Sequence, residues 1–187
     1  MVRLFSSALL LLSPVVLAQK PAYLAEAPLP KGWPEPGPYN QVTEKAYPKY
    51  RAAVTKGSSG LSFWTLFGHI KKKDIPMTAP VEMKMEPKGE RMEKVNMAFL
   101  YQNTGVGQTG ADGKKIKVKD IEGAKALSYA WMGDDSRDQI AQAHKALEKA
   151  LQEKGLKATS YRMLGYNGPR TPRKKRTYEL QAVLPAD

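Results

Sequence analysis

His69 and His144 are the only histidines in the chain, and cysteine is absent. Disulfides, thiolate metal sites and cysteine nucleophiles are therefore excluded, and little material is left for a histidine cage. At about 100° per residue, His144 falls within the apolar stripe of Ile140, Ala143, Leu147 and Leu151. From there it could ligate a metal such as iron out of an apolar pocket, but it reads better as a partly buried residue hydrogen-bonded to a neighbour. His69 lies at the margin of an earlier apolar helix face, where it either reaches a cleft or sits at the surface. It is the candidate metal ligand. Glu82, Glu86, Asp134 and Asp135 have no histidine or nucleophile at a telling spacing, so no catalytic set emerges.

Gly105, Gly107 and Gly110 spell G-x-G-x-x-G after a strand. A dinucleotide site needs a helix to open there and meet the pyrophosphate. Ile116-Lys117-Val118-Lys119 alternates like a strand instead, so the glycines mark a flexible loop. Lys71-Lys72-Lys73 reads as a solvated loop. The basic stretch Arg170 to Arg176 is held between Pro169, Pro172 and a final strand, and could pair with carboxylates of a ligand.

The elements that position these residues follow from the pattern around them. The 187 residues suit one domain, and 42% hydrophobic with 26% charged residues rules out wholesale disorder. A net charge of +12 favours an anionic partner. Arg3, the apolar stretch Leu4 to Leu17 and Val16-Leu17-Ala18 predict a signal peptide over residues 1–18, cut after Ala18, and a secreted or periplasmic protein with no membrane span in the mature chain. Pro21, Pro28, Pro30, Pro34, Pro36 and Pro38 make residues 19–38 an extended, mobile arm, with order beginning near Tyr39.

Residues 39–187 then show one element order twice. Strands at 40–45 and 48–55 lead to a short helix carrying Phe63, Leu66, Phe67 and Ile70. A strand with Met77, Ala79, Val81, Met83 and Met85 on one face follows, and Pro76 and Pro80 within it predict an edge or a bulge. Another strand spans 94–101. In the second block, strands at 115–121 and 125–132 precede a helix opened by Ser136 and Gln139 as a capping box and stopped at Gly155. Strands near 157–165 and 176–184 complete an α+β fold with an internal pseudo-twofold.

Phe63-Trp64-Thr65-Leu66-Phe67-Gly68-His69-Ile70 followed by Met77-Thr78-Ala79-Pro80-Val81 resembles the SOUL haem-binding family, in which a helix with F-x-x-L-x-x-Y-I leads into M-T-A-P-V. Tyr166-Asn167-Gly168-Pro169, Thr171-Pro172 and Arg176-Thr177-Tyr178-Glu179-Leu180 are similar to the family's Y-x-P-P-x-T-P … R-R-N-E-V ending. His69 stands where the family often has Tyr, Gly168 replaces the first Pro of the pair, and Thr177-Tyr178 replaces R-N. The resemblance covers roughly residues 40–184. It implies a distorted eight-stranded antiparallel β-barrel with two flanking helices, pseudo-duplicated like GyrI-type ligand-binding domains.

The resemblance also implies non-covalent haem or another tetrapyrrole as cofactor, held in an apolar cleft beside the first helix and the loop before the last strand. Phe63, Leu66, Phe67 and Met77 would cover the macrocycle, with Arg170, Arg173, Lys174, Lys175 or Arg176 on its propionates and His69 as a possible axial ligand. A non-enzymatic binding protein for a porphyrin-type small molecule is the leading expectation. The alternative is a small-molecule hydrolase or ligand sensor on the same barrel, using Glu179 or Glu82 as acid/base. A nucleic-acid module fits less well, because aromatic residues are not interleaved with the basic runs.

Overall fold

The computed structural model describes residues 23–89 and 91–186; the expected leader, and its cleavage after Ala18, lie outside the described residues. Strands β1 (Val42–Tyr47) and β2 (Tyr50–Thr55) precede helix α1 (Gly60–Lys72), and β3 (Val81–Lys88) and β4 (Arg91–Leu100) close the first block. The second comprises β5 (Gly110–Asp112), β6 (Ile116–Ile121), β7 (Ala124–Met132), α2 (Arg137–Lys154), β8 (Ser160–Gly165) and β9 (Thr177–Val183).

All nine strands join one sheet in the order β1-β7-β9-β8-β3-β4-β2-β6-β5, and every ladder is antiparallel. Set β5 aside and the order reads as equivalents from either end: β1 answers to β6, β2 to β7, β3 to β8 and β4 to β9. Each block sends its first strand to the edge of the other block's half. This is the pseudo-twofold expected from element order. In place of the distorted eight-stranded barrel there is one sheet of nine strands, with no ladder joining β1 to the far edge among the described residues. The extra strand comes from the glycine loop, where Gly110 to Asp112 pair with β6.

Both helices pack on one face of this sheet. Leu66 and Ile70 of α1, and Ile140, Ala143, Leu147 and Leu151 of α2, meet Met85, Met97, Phe99, Trp131, Met163 and Leu180. The Ser136 hydroxyl accepts from the Gln139 N–H at 3.4 Å, and Gly155 takes the left-handed conformation at φ 65°, so α2 starts and stops where its sequence predicts. His144 is half-buried, 3.6 Å from Glu148 and edge-on to Tyr161, as expected of a packed residue.

The strand expected through Pro76 and Pro80 begins only at Val81, and β3 is central, between β4 and β8. Proline lacks the N–H that a central ladder needs, so the strand starts after it. The bulge is present but lies between Lys84 and Met85. Upstream the alternation fails: Thr78 is buried, donating to the Leu100 carbonyl at 2.6 Å, and Ala79 faces the other side of the sheet from Met83 and Met85.

That other side is buried too, which corrects the mobile arm. Residues 23–38 are extended, but Trp33 is only 6% exposed, and it packs edge-on to Tyr47 and Tyr50 at 4.7 and 5.1 Å. Lys31 N–H donates to the Gln102 carbonyl at 2.8 Å, and Ala79 N–H to the Pro28 carbonyl at 3.0 Å. Proline density forbids helix and sheet, yet it leaves an extended segment free to lie along a groove. Beneath Trp33, Glu179 pairs with Lys45 and accepts from Tyr166 at 2.9 Å and from Gly37 N–H at 3.0 Å. Arg162 donates to Glu82 at 3.1 Å, Tyr50 at 3.0 Å and Gln181 at 2.8 Å. Buried charges persist only with such partners.

Candidate functional site

A cleft of about 370 Å³ opens between α1, the segment running into β3, and the loop between β8 and β9. Phe63 and Phe67 form one wall because they lie one helical turn apart, with rings stacked at 8° and 6.3 Å. Phe63 is held from behind by Phe99 at 5.1 Å. Met77, Val81 and Met83 supply the floor, and Tyr178 and Gly165 the far side. Gly165 fits closely there, since a Cβ would meet the Tyr178 ring at 3.3 Å and the Met83 methyl at 3.6 Å. The lining is thus a mainly apolar surface rich in sulfur and aromatic rings.

The polar side chains on this lining are Glu26, Thr78, Asp135, Asn167 and Arg176, with the phenols of Tyr166 and Tyr178. Arg176 organises the loop, its Nε donating to the Thr171 carbonyl and its Nη2 to the Pro169 carbonyl, both at 2.8 Å. Asn167 accepts from Thr177 N–H at 2.9 Å and donates to the Leu24 carbonyl at 2.8 Å. Glu26 accepts from Gly168 N–H at 2.6 Å. Burial would raise the Asp135 carboxyl, but the hydrogen bond and charge of Lys94 outweigh it and hold the group below the usual carboxylate range. Burial, with the negative charge of Asp135 beside it, pushes the Tyr178 phenol up.

Of the residues expected from sequence, Phe63, Phe67, Met77 and Arg176 line this cleft. Leu66 is wholly buried behind α1. Arg170, Arg173, Lys174 and Lys175 do not line it; they are exposed on the outside of the loop, three of them in a short 3-10 turn. His69 points elsewhere. Its Nδ1 is bonded to Asp112 and its Nε2 to the Tyr101 hydroxyl at 2.7 Å, in a separate depression lined by residues 106–112. With both ring nitrogens engaged, it is a clasp between α1 and β5, not a ligand facing the cleft. Glu179 and Glu82 do not reach the cleft either; both are committed to the buried network beneath Trp33.

Sequence reasoning missed Glu26, Ala27 and Tyr178 and considered Asp135 only as an acid without a partner, whereas Asn167 opens the loop expected at the cleft. Asn167 and Tyr178 sit inside the recognised ending, at and beside its variable positions. Nothing local to Glu26 or Ala27 announces that the lead-in returns to the cleft.

Among the described residues, a nine-stranded duplicated sheet with two helices frames this concave, mainly apolar cleft. The chain belongs to the family described as SOUL heme-binding protein, whose model matches residues 35–182. Among curated proteins none matches. The solved C-terminal domain of EcmrR is similar, with 16% identity over 78% of this chain and 97% of that one, at a TM-score of 0.57. An uncharacterized conserved protein from Listeria innocua matches at 14% identity, 79% and 93% coverage and a TM-score of 0.57. A protein titled a hydrolase from Listeria innocua matches at 13%, 79%, 93% and 0.55. At these identities the likeness is one of fold.

Proposed function

We propose that the chain binds haem or a related tetrapyrrole, non-covalently and reversibly, in the cleft between α1, Met77–Met83 and the loop 166–169, and that it does so outside the cytoplasm after loss of residues 1–18. Family membership and the chemistry of the cleft support the same ligand class. The observation that carries the reading is the pairing of an aromatic and methionine lining with Arg176, its one cation among the described residues. Stacking area supplies affinity, and the guanidinium offers a propionate partner. The volume lies at the low end for ligand pockets, so the ligand would remain partly open to solvent.

No histidine lines the cleft among the described residues, and Met77, Met83 and Tyr178 are lining groups that carry iron-ligating atoms; the reading rests affinity on area and charge ahead of any such bond. Titration with hemin and with metal-free protoporphyrin, followed by absorbance, tests this. Comparable affinities for both, unchanged by His69→Ala, agree with the proposal. Tight hemin binding with none to protoporphyrin would refute it.

A further inference from the structure

The outer face of α1 carries apolar side chains that no other described residue covers. Leu61 is 80% exposed, Trp64 64% and Phe67 37%, all within the first two turns. Monomeric soluble proteins seldom display a contiguous cluster of this kind without a use for it. Phe67 belongs both to this face and to the cleft wall, so the apolar surface runs without a break from the helix exterior into the pocket.

Cations flank it on two sides. Lys71, Lys72 and Lys73 end the same helix, and Arg170, Arg173, Lys174 and Lys175 lie outside the loop that forms the opposite wall. All are exposed, and none is in an ion pair among the described residues. Of the nearby acids, Asp112 is bonded to His69 and Asp135 is paired with Lys94, while Glu26 accepts from Gly168 N–H and Asp74 and Asp134 are exposed, so the basic groups outnumber the unpaired carboxylates.

We infer that this face docks on an anionic phospholipid surface, with Leu61, Trp64 and Phe67 entering the headgroup boundary and the two basic clusters resting on anionic headgroups. Tryptophan prefers that boundary, and apolar side chains rimmed by lysine and arginine are the usual interfacial arrangement. The net charge of +12 acts in the same sense. A second copy is a poorer occupant, because two such faces would bring like charges together. No helix among the described residues is long and apolar enough to cross a membrane, so the contact is peripheral. The mouth of the cleft would then open against the bilayer. The inference stands whatever ligand the cleft takes.

Trp64 provides its own reporter, because the other tryptophans, Trp33 and Trp131, are 6% and 1% exposed. The full chain is mixed with vesicles of phosphatidylcholine alone, or with a third phosphatidylglycerol, carrying brominated acyl chains that quench tryptophan. Quenching is expected with the anionic vesicles, absent with the neutral ones and weakened by salt. Lys71→Gln, Lys72→Gln and Lys73→Gln together should reduce partitioning by about fivefold per lysine. Leu61→Ser should lower it further, while protoporphyrin affinity in solution stays at the parent value. Trp64→Phe should abolish most quenching but keep sedimentation with vesicles. Vesicle binding with unquenched Trp64 would overturn the inference, as would no binding. A dimer that Trp64→Ser dissociates would overturn it too, and assign the face to self-association.

Discussion

Replacing Trp33 by alanine removes the side chain that seats residues 23–38 on the sheet. The indole is 6% exposed, edge-on to Tyr47 at 4.7 Å and to Tyr50 at 5.1 Å, and 5.4 Å from the Arg162 guanidinium. Buried tryptophan-to-alanine changes cost about 3–5 kcal/mol. Each aromatic pair accounts for roughly 0.5–1.5 kcal/mol beyond area, which places this site toward the upper end. In a domain of this size 1 kcal/mol moves the melting temperature by about 2–4 °C, so the variant should melt about 6–20 °C lower. Circular dichroism melting of parent and variant gives the number. Proteolysis at Leu24–Pro30 should accelerate alongside, since Pro28, Lys31 and Trp33 share one anchor. A melting temperature within two degrees of the parent would mean that the arm does not pack as described.

Three further outcomes follow from the geometry. Gly123→Ala should destabilise by about 1–3 kcal/mol in urea, because a Cβ there would meet the Tyr47 carbonyl oxygen at 2.6 Å, and backbone cannot retreat as a side chain can. Asp135 has its folded-state pKa depressed, chiefly by Lys94, so the stability from that pairing is present above the ordinary aspartate value and lost as pH falls through the depressed one. The urea midpoint should therefore drop as pH falls below the ordinary aspartate value of about 4, and Asp135→Asn should flatten that drop. Arg176→Ala should weaken hemin binding and expose the 166–176 loop to hydrogen exchange, whereas Arg173→Ala with Lys175→Ala should change affinity less than twofold, because those two do not line the cleft.

Local rules carried most of the fold. The Ser136 and Gly155 signals bounded α2, and the 3.6-residue period placed Leu66 and Ile70 inward. Element order alone exposed the duplication. What local reading could not give was which sheet face a segment without periodicity would cover. Trp33 in a proline-rich stretch looks like a solvated linker until Tyr47 and Tyr50, from β1 and β2, are seen to form its socket. Likewise β5 was hidden because three residues are too few to show alternation. At the site, the helix residues Phe63 and Phe67 were legible because one turn of helix sets them side by side. The loop cations were not separable in sequence: Arg176 turns inward to bind two loop carbonyls, while Arg170, Arg173 and Lys175 turn outward. His69 shows the same limit, since Asp112, which claims its Nδ1, sits on a strand that periodicity did not reveal.

The most direct test of the cleft as the tetrapyrrole site is the protoporphyrin dissociation constant of Phe67→Ala against the parent. Phe67 is already 37% exposed, so its loss should leave the fold intact, as a melting curve will verify. Removing half of the stacked Phe63–Phe67 wall forfeits about 1–2 kcal/mol of burial, a weakening of roughly fivefold to thirtyfold. A shift of that size, with His69→Ala at the parent value, is the expected result. A Phe67→Ala protein that binds as tightly as the parent, or a parent that shows no saturable binding at all, would contradict the account.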